Sequence, residues 1–342
     1  MKVLVVGGTG PTGVPLVNQL LSAGFDVAIF HTGAHAADFV APVERLIGNP
    51  RDEVSIAEVL GSRTWDIAIC TSGRLRALAT ALAGRTGRLV GISGQPVYDG
   101  SLRPTPAGVL PVPVPEWAPR QRDAANYTGK VAAGEDQLFR QHGEGDFEAV
   151  IVRYPGIYGP RAPLSHEWPI VRRILDGRKV ILLPHGGATY FQRGFADNVA
   201  HLVFLAATRS EASGLAFNAG DERVIPARRV AEVIAEELEI TVELLDVPSE
   251  LCAGVFPLAE RSTIVLDMSR ARALLGYRDV TDVEAATRST ARWLAEHPPR
   301  DGEVSPQALG RVDYEREDRL IAAWRSAWSE LQAGASEANS SM

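Results

Sequence analysis

Residues 1–31, MKVLVVGGTGPTGVPLVNQLLSAGFDVAIFH, contain an apolar run, a glycine-rich turn, an amphipathic segment and a second apolar run, in that order. Lys2 to Val6 is short and rich in β-branched residues, which predicts a parallel strand buried on both faces. The pattern then predicts a helix from about Thr12 to Ala23 and a second strand from Asp26 to Phe30. A strand, a glycine-rich turn, a helix and a strand at this spacing predict the first unit of a dinucleotide-binding sheet.

Four glycines fall in the turn, at positions 7, 8, 10 and 13. They fit both the Gly-x-x-Gly-x-x-Gly and the Gly-x-Gly-x-x-Gly spacings, whereas a simple tight turn is the alternative explanation of such a pattern. Glycine is needed where the chain turns with positive φ, where backbone touches a diphosphate and where a helix packs closely on a strand. Because the first amides of the following helix lie at the positive end of its dipole, we predict that this turn binds NAD(P).

Composition restricts the class of protein. The chain has 342 residues, of which 45% are hydrophobic and 23% charged, and a net charge of −7. This acidity argues against a nucleic-acid partner, and no apolar run approaches the roughly 18 residues of a membrane span. The chain opens without a charged and apolar leader, so we expect a cytoplasmic location and no membrane association. Cys70 and Cys252 are far apart, and the histidines show no ligand spacing, so neither a disulfide nor a metal site is expected.

Short strands and helices continue to alternate after residue 31. The predicted strands cover about 43–47, 66–70, 88–93 and 147–153, and the predicted helices about 52–60, 74–83 and 122–141. Such alternation predicts an α/β fold, a Rossmann-type doubly wound parallel sheet with a smaller, discontinuous C-terminal α/β substrate domain. Residues 94–120 are rich in proline and predict an ordered surface loop over the carboxyl ends of the strands, where a substrate lid would lie.

The pattern divides the chain into four regions. Residues 1–155 form the predicted dinucleotide-binding domain, to which parts of 190–225 return, and 156–300 form mainly the substrate domain, with helices near 197–208, 227–238, 269–275 and 283–295. Residues 301–332 form a C-terminal helical extension, whose stripe of Leu320, Trp324, Trp328 and Leu331 predicts packing against the body or another subunit. The composition of 333–342 predicts a disordered tail.

Several ordered motifs resemble the extended short-chain dehydrogenases/reductases of the NAD-dependent epimerase/dehydratase superfamily. They are GGTGPTG, IGNPRD at 47–52, GISGQPVYDG at 91–100, GKVAAGEDQL at 129–138, VRYPGIYGPR at 152–161, QRGFADNVA at 192–200, LAFNAGDE at 215–222 and LDMSRARALLGY at 266–277. The resemblance covers about residues 1–297. It is specific for the fold and much less so for the reaction, because one scaffold hosts epimerases, dehydratases, reductases and RNA-binding relatives.

The resemblance implies a set of NAD(P) contacts, which we expect at Gly7, Gly10, Pro11, Thr12, Gly13, His31, Thr32, Asn49, Pro50, Thr71, Lys130, Tyr154 and Pro155. The cofactor ribose is read at the end of the second strand, where an acid selects NAD and a nearby arginine accepts the extra phosphate of NADP. His31 and Thr32 are neither, and the lack of an acid removes repulsion against a 2′-phosphate. These features slightly favour NADP over NAD.

The catalytic positions depart from the family, in which a Tyr four residues before a Lys acts as proton donor and acceptor and a Ser or Thr holds the substrate oxygen. Lys130 matches the lysine, but Asn126 stands four residues before it and Gly94 takes the place of the Ser or Thr. One hypothesis is a shifted triad of Ser93, Tyr127 and Lys130, since positions i−3 and i−4 lie on overlapping helix faces. The other is that the proton-transfer groups are absent, which would cost about 10²–10⁴ in rate for an alcohol/ketone step.

Substrate contacts are predicted at three residues, Asn126, Arg161 and Arg193. The two arginines fall where relatives bind an anionic group, with a structural salt bridge as the alternative. Asn126 cannot titrate, so it could orient a substrate but not act as an acid or base. Glu116 and Trp117 could line the cleft, and His166 and His185 could titrate near it, although structural roles are simpler explanations. The resemblance also implies a possible homodimer formed through the helices near 74–83 and 122–141.

Two functions from different classes follow. The first is an NAD(P)-dependent oxidoreductase, epimerase or dehydratase acting on a small molecule, with a displaced or degenerate triad. The second is a non-catalytic dinucleotide sensor or scaffold, like the RNA-binding relatives. An intact phosphate turn favours the first, and the displaced Ser and Tyr favour the second.

Overall fold

The computed structural model describes residues 1–100, 110–123, 125–162, 166–252, 263–299 and 312–340. The chain forms two compact units. The first comprises Met1–Ala162, Gln192–Val224 and Ile264–Ala286, and the second comprises Pro163–Phe191, Ile225–Thr263 and Thr287–Met342. In the described part of the chain, no helix is long and apolar enough to cross a bilayer.

The elements follow one another in the order β1 (Lys2–Val6), α1 (Gly13–Ser22), β2 (Asp26–His31), β3 (Glu44–Ile47), α2 (Glu53–Leu60), β4 (Trp65–Cys70), α3 (Leu75–Leu82), β5 (Thr86–Gly94), α4 (Tyr127–Glu144), β6 (Glu148–Tyr154), β7 (Gly156–Tyr158), α5 (Trp168–Leu175), β8 (Val180–Pro184), β9 (Arg193–Phe195), α6 (Ala196–Thr208), β10 (Leu215–Asn218), α7 (Ala227–Glu237), β11 (Glu243–Val247), α8 (Ser249–Cys252), α9 (Ser269–Leu275), α10 (Val283–Glu296) and α11 (Tyr314–Ser340).

The first unit contains a seven-stranded sheet in the order β10-β6-β5-β4-β1-β2-β3, with parallel pairing throughout. Side chains of β1 alternate between its faces, so Val3 and Val5 pack in one core with α1 and α6, while Leu4 and Val6 pack in another with α2, α3 and α4. This confirms the doubly wound α/β fold. The strand order reverses between β1 and β4, and ligands of such sheets bind at the carboxyl ends beside this point.

Two regions differ from the sequence prediction. Helix α4 begins at Tyr127 rather than near residue 122, because Asn126 has extended backbone and its side-chain oxygen accepts a hydrogen bond from the Gly129 amide. Helix α11 continues to Ser340, so residues 333–340 are helical where a disordered tail was expected. Residues 301–311 of the predicted extension, 101–109 of the proline-rich loop, and 341–342 lie outside the described residues.

The second unit contains the parallel strand pair β8 and β11, which the sequence reading did not anticipate. Its C-terminal helix is held by a buried ion pair between Arg173 and Glu317 and by the Trp324 indole, which donates to the Asp246 carbonyl. Trp324 stacks on Trp328, but Trp328 and Leu331 remain largely exposed. Only the first part of the predicted apolar stripe is therefore packed within this chain.

Candidate functional site

The glycine-rich turn between β1 and α1 has the geometry that a diphosphate needs. Gly7 and Gly8 have φ values of 104° and 81°, in the left-handed region where other residues are strained. A Cβ on Gly13 would lie 2.6 Å from the Gly8 backbone, so α1 packs directly on the turn. In contrast, a Cβ on Gly10 would meet nothing within 4 Å. The space beside Gly10 is therefore open for a phosphate group.

Tyr154, at the end of β6, places a buried hydroxyl beside this turn. The hydroxyl faces the Thr12 side chain, but it makes no hydrogen bond of ordinary geometry to a described residue. Burial raises the pKa of the Tyr154 phenol well above its ordinary value, so the group remains a neutral donor. An unpaired buried hydroxyl costs free energy, and a cofactor on the turn would satisfy it.

The end of β2 carries a second unpaired polar atom. His31 is 6% exposed, and its Nδ1 accepts a hydrogen bond from the Gly33 amide at 3.1 Å. Burial, followed by the positive charge of Arg45, lowers the pKa of His31, which is therefore neutral with its proton on Nε2. Nε2 is buried without a partner among the described residues. The end of β2 therefore carries one buried N–H donor that no described residue satisfies.

The remaining predicted cofactor contacts lie along the same edge of the sheet. Thr71 follows β4, and its hydroxyl donates to the Val6 carbonyl at 2.8 Å, directly beside Gly7. Asn49 accepts a hydrogen bond from the Arg51 amide, and the Pro50 carbonyl accepts one from the Arg74 amide. The Thr32 side chain is exposed and accepts from the Ala34 amide at 3.4 Å. The turn, the ends of β2 and β4 and the Asn49 loop therefore form one continuous edge.

The predicted catalytic residues Ser93, Tyr127 and Lys130 line one cavity of about 970 Å³ within the first unit. Tyr127 is the first residue of α4 and is 73% exposed, and Lys130 is also exposed. Asn126 uses its side-chain oxygen to accept from the Gly129 amide and the Thr128 hydroxyl, both at 2.7 Å. The side-chain oxygen of Asn126 is therefore engaged in capping α4.

A buried polar network lies behind this cavity, and the sequence analysis did not identify it. Glu135 is fully buried and accepts two hydrogen bonds from Arg153, at 2.9 and 2.7 Å. Arg153 also donates to the Tyr98 hydroxyl and to the Glu116 carbonyl. Ser93 donates to Glu135 at 2.6 Å. The signals in the sequence are Arg153, a charge directly after the apolar run AVIV, and Glu135 within the motif GKVAAGEDQL.

The two predicted anion-binding arginines differ in environment. Arg161 is exposed and has a φ of 66°, whereas Arg193 is buried, with its guanidinium 4.4 Å from the centre of the Tyr158 ring. The positive charge of Arg193 also acts on Asp221, a buried carboxylate that accepts from the Tyr158 hydroxyl at 2.7 Å. Arg193 therefore lies within a buried polar cluster of the first unit.

The other candidate residues differ in burial and in location. Glu116 is buried and accepts from the Asn218 amide, whereas the adjacent Trp117 is 76% exposed. His166 packs edge-on against Phe191 in the second unit, and His185 is exposed with a φ of 53°. Among the residues that the structure describes, no group of three or more His, Cys, Asp or Glu is placed to hold a metal ion.

One carboxyl group in the first unit makes stability depend on pH. Burial, and then the negative charge of Asp221, raise the pKa of Asp279 to about 7, although Tyr277 and the Glu222 amide donate to it. In the unfolded chain this carboxyl titrates near 3.8. Because the folded pKa is the higher one, the protonated group contributes stability that is complete below about pH 4 and is lost as the pH rises through 7.

We therefore expect Asp279→Asn to stabilise the protein at pH 8 by about 1–2 kcal/mol, a value reduced for solvent screening at a partly exposed site. The gain should shrink to nothing near pH 4. Urea unfolding at several pH values measures it, with Asp282→Asn as a control because Asp282 is an exposed carboxylate paired with Arg223. Equal stability of Asp279→Asn and the parent chain at pH 8 would contradict the expectation.

An open phosphate turn on a seven-stranded parallel sheet defines a dinucleotide-binding protein. The sequence model of the NAD dependent epimerase/dehydratase family matches residues 3–220. The chain belongs to this family, as the motifs had indicated.

The proteins to which the chain is similar have names that describe different activities. The chain is 28% identical over 247 residues to a 3-diazoavenalumate denitrifying reductase from a Streptomyces species, a match that covers 65% of this chain and 77% of the relative. Its fold is similar to the UDP-glucose 4-epimerase of Thermotoga maritima solved with UDP-glucose, with a TM-score of 0.69 and 17% identity over 86% of this chain and 99% of the other. The enzyme WbmH of Bordetella bronchiseptica, solved with NAD⁺, gives a TM-score of 0.68 and 16% identity over 87% of this chain and 99% of the other.

Proposed function

We propose that this chain is a nicotinamide-dependent reductase of a small molecule, whose substrate carbon takes a hydride without receiving a proton from a phenol. The observation that carries the proposal is the contrast within one edge of the sheet. The phosphate turn is open at Gly10, whereas the family's proton-donor position holds the helix cap Asn126 and its substrate-oxygen position holds Gly94.

A bound nicotinamide dinucleotide supplies the hydride. In the proposed role, Gly7 to Gly13 hold the diphosphate, the Tyr154 hydroxyl donates to its polar atoms, and Lys130 binds the nicotinamide ribose. The His31 Nε2–H and the charge of Arg45 favour a 2′-phosphate, which supports the lean towards NADP. The fit of these residues to a cofactor is supported by the two buried donors, on Tyr154 and His31, that have no partner among the described residues.

The reaction class follows from the replacement of the family's proton-donating Tyr by Asn126. Hydride transfer to a ketone produces an alkoxide that needs a proton, whereas hydride that replaces a leaving group on an electron-poor carbon needs none. The name of the Streptomyces relative describes a reduction that removes nitrogen from a diazo compound. In that chemistry a carbon–hydrogen bond forms and a carbon–nitrogen bond breaks, and dinitrogen leaves with the bonding electron pair. We place this chain in the same reaction class.

Substitutions at Tyr127 and Lys130 test the proposal. Tyr127→Phe should keep turnover of an aryl diazonium salt within about twofold, because no phenolic proton is required, whereas a loss of about 10²–10⁴ is expected of a true proton donor. Lys130→Ala should weaken cofactor binding by about 10- to 100-fold, the effect of one charge-assisted hydrogen bond.

Fluorescence titration with NADPH and NADH measures the binding, and loss of reduced cofactor together with dinitrogen release measures turnover. A reaction without protein corrects for spontaneous decay of the diazonium salt. Turnover that depends on Tyr127, or reduction of ketones only, would support the shifted triad instead. Cofactor binding without any turnover across both substrate classes would support the sensor hypothesis.

A further inference from the structure

The orientation of the Ser93 hydroxyl defines what its cavity can bind. Ser93 is the penultimate residue of β5 and lies partly exposed on the 970 Å³ cavity. Its hydroxyl donates to Glu135 Oε1 at 2.6 Å. A serine hydroxyl has one proton and two acceptor lone pairs. Since the proton is directed towards Glu135, Ser93 can offer a ligand only its lone pairs.

Glu135 keeps this orientation fixed. Arg153 donates to both of its carboxylate oxygens, and Arg120 donates to Oε2 at 3.0 Å. The two guanidinium groups and the Ser93 hydroxyl thus all donate to this carboxyl group, which acts as an acceptor towards each of them. The Ser93 proton is therefore already used within the protein.

The next residue along the strand supplies no side-chain donor in place of Ser93. Gly94 has no side chain, and a Cβ there would lie 3.1 Å from Pro96 Cδ. The side-chain oxygen of Gln95 is buried without a hydrogen-bond partner in the described parts of the chain. At the end of β5, the side-chain group that lines the cavity is therefore the Ser93 oxygen, which can only accept.

We propose that Ser93 selects substrates that carry an O–H or N–H donor near the reacting carbon, such as a phenol or an aromatic amine, and that it does not hold a carbonyl oxygen. This inference deepens the proposed function and rests on it for the placement of the reacting carbon. Ser93 is then a specificity-determining residue that acts as a hydrogen-bond acceptor.

A matched pair of probes tests this role. The 4-hydroxybenzoate and 4-methoxybenzoate anions differ by one donor, and their dissociation constants can be measured by ligand-observed NMR on the full chain with and without NADP⁺. The parent chain should bind the phenol about three- to tenfold more tightly, the effect of one net hydrogen bond. Ser93→Ala should bind both probes equally, and Ser93→Thr, which keeps the hydroxyl, should restore the preference.

Thr80→Ala is the matched control, because Thr80 lines the same cavity and its hydroxyl donates to the Arg76 carbonyl. It should leave the ratio of the two affinities unchanged. Equal binding of the probes by the parent chain, binding of neither, or a preference that survives in Ser93→Ala would overturn the proposal. Failure to bind NADPH or NADH would instead count against the proposed function, since the probe ratio can be measured without cofactor.

Discussion

Replacing Gly10 by valine is expected to weaken cofactor binding by at least about 100-fold while leaving the stability of the fold almost unchanged. Nothing lies within 4 Å of the position of a Cβ at Gly10, so the new side chain meets no protein atom near its root. It would fill the space in which a diphosphate approaches the turn. A loss of roughly 3 kcal/mol of binding free energy corresponds to this factor.

Gly13→Ala should instead lower the stability of the fold. Its Cβ would lie 2.6 Å from the Gly8 backbone, which cannot move aside as a flexible side chain could. We expect a loss of about 1–3 kcal/mol in the free energy of unfolding, typical of overpacking. Urea unfolding and fluorescence titration on both variants separate the two effects. If Gly10→Val bound NADPH and NADH as tightly as the parent chain, the turn would not be the phosphate site.

The sequence was most informative where local chemistry alone determines structure. The run from Lys2 to His31 predicted β1, the turn, α1 and β2, because strand burial, positive φ and helix packing each demand particular residues at fixed spacing. The same local reasoning placed the start of α4 near residue 122, five residues before its observed start at Tyr127. Asp123 and Asn126 carry side chains that suit either a first helical turn or a cap, and the Asn126 side chain caps the helix at Tyr127.

Pairing between distant segments could not be predicted in this way. The short strands β7 and β9 pair although 36 residues lie between the paired Gly156 and Arg193, and β8 pairs with β11 across a longer gap. The three-residue strands β7 and β9 are also too short to show a period in sequence. The network of Ser93, Glu135 and Arg153 likewise joins three elements, and which partner neutralises a buried arginine depends on the packing of all three.

The candidate site contains both kinds of feature, those that local sequence predicts and those that depend on contacts between distant segments. Ser93, Tyr127 and Lys130 do line one cavity, as their motifs suggested. What their spacing could not reveal is the direction of each hydrogen bond, since the Ser93 proton is directed by a residue 42 positions away. The chemistry of the site therefore depends on Glu135, a residue of the motif GKVAAGEDQL whose hydrogen-bond partners the motif does not reveal.

Removing that residue should be the most destabilising single change near the site. Glu135→Gln leaves the guanidinium of Arg153, which is 3% exposed, without its counter-charge, and we expect a loss of about 3–5 kcal/mol in the free energy of unfolding. Arg120 is affected less, because it also pairs with Asp136 at 2.5 Å. Glu144→Gln on the same helix breaks an exposed pair with Arg140 and should cost less than about 1 kcal/mol.

The double variant Glu135→Leu with Arg153→Met separates charge from packing. If an unpaired buried charge is what destabilises Glu135→Gln, removing both charges should recover most of the lost stability. Urea unfolding of the four proteins completes the comparison. A double variant no more stable than the single one would mean that the hydrogen bonds to Ser93, Tyr98 and the Glu116 carbonyl, rather than the ion pair, hold this part of the sheet together. In that case the orientation of Ser93 would itself be a product of the network as a whole.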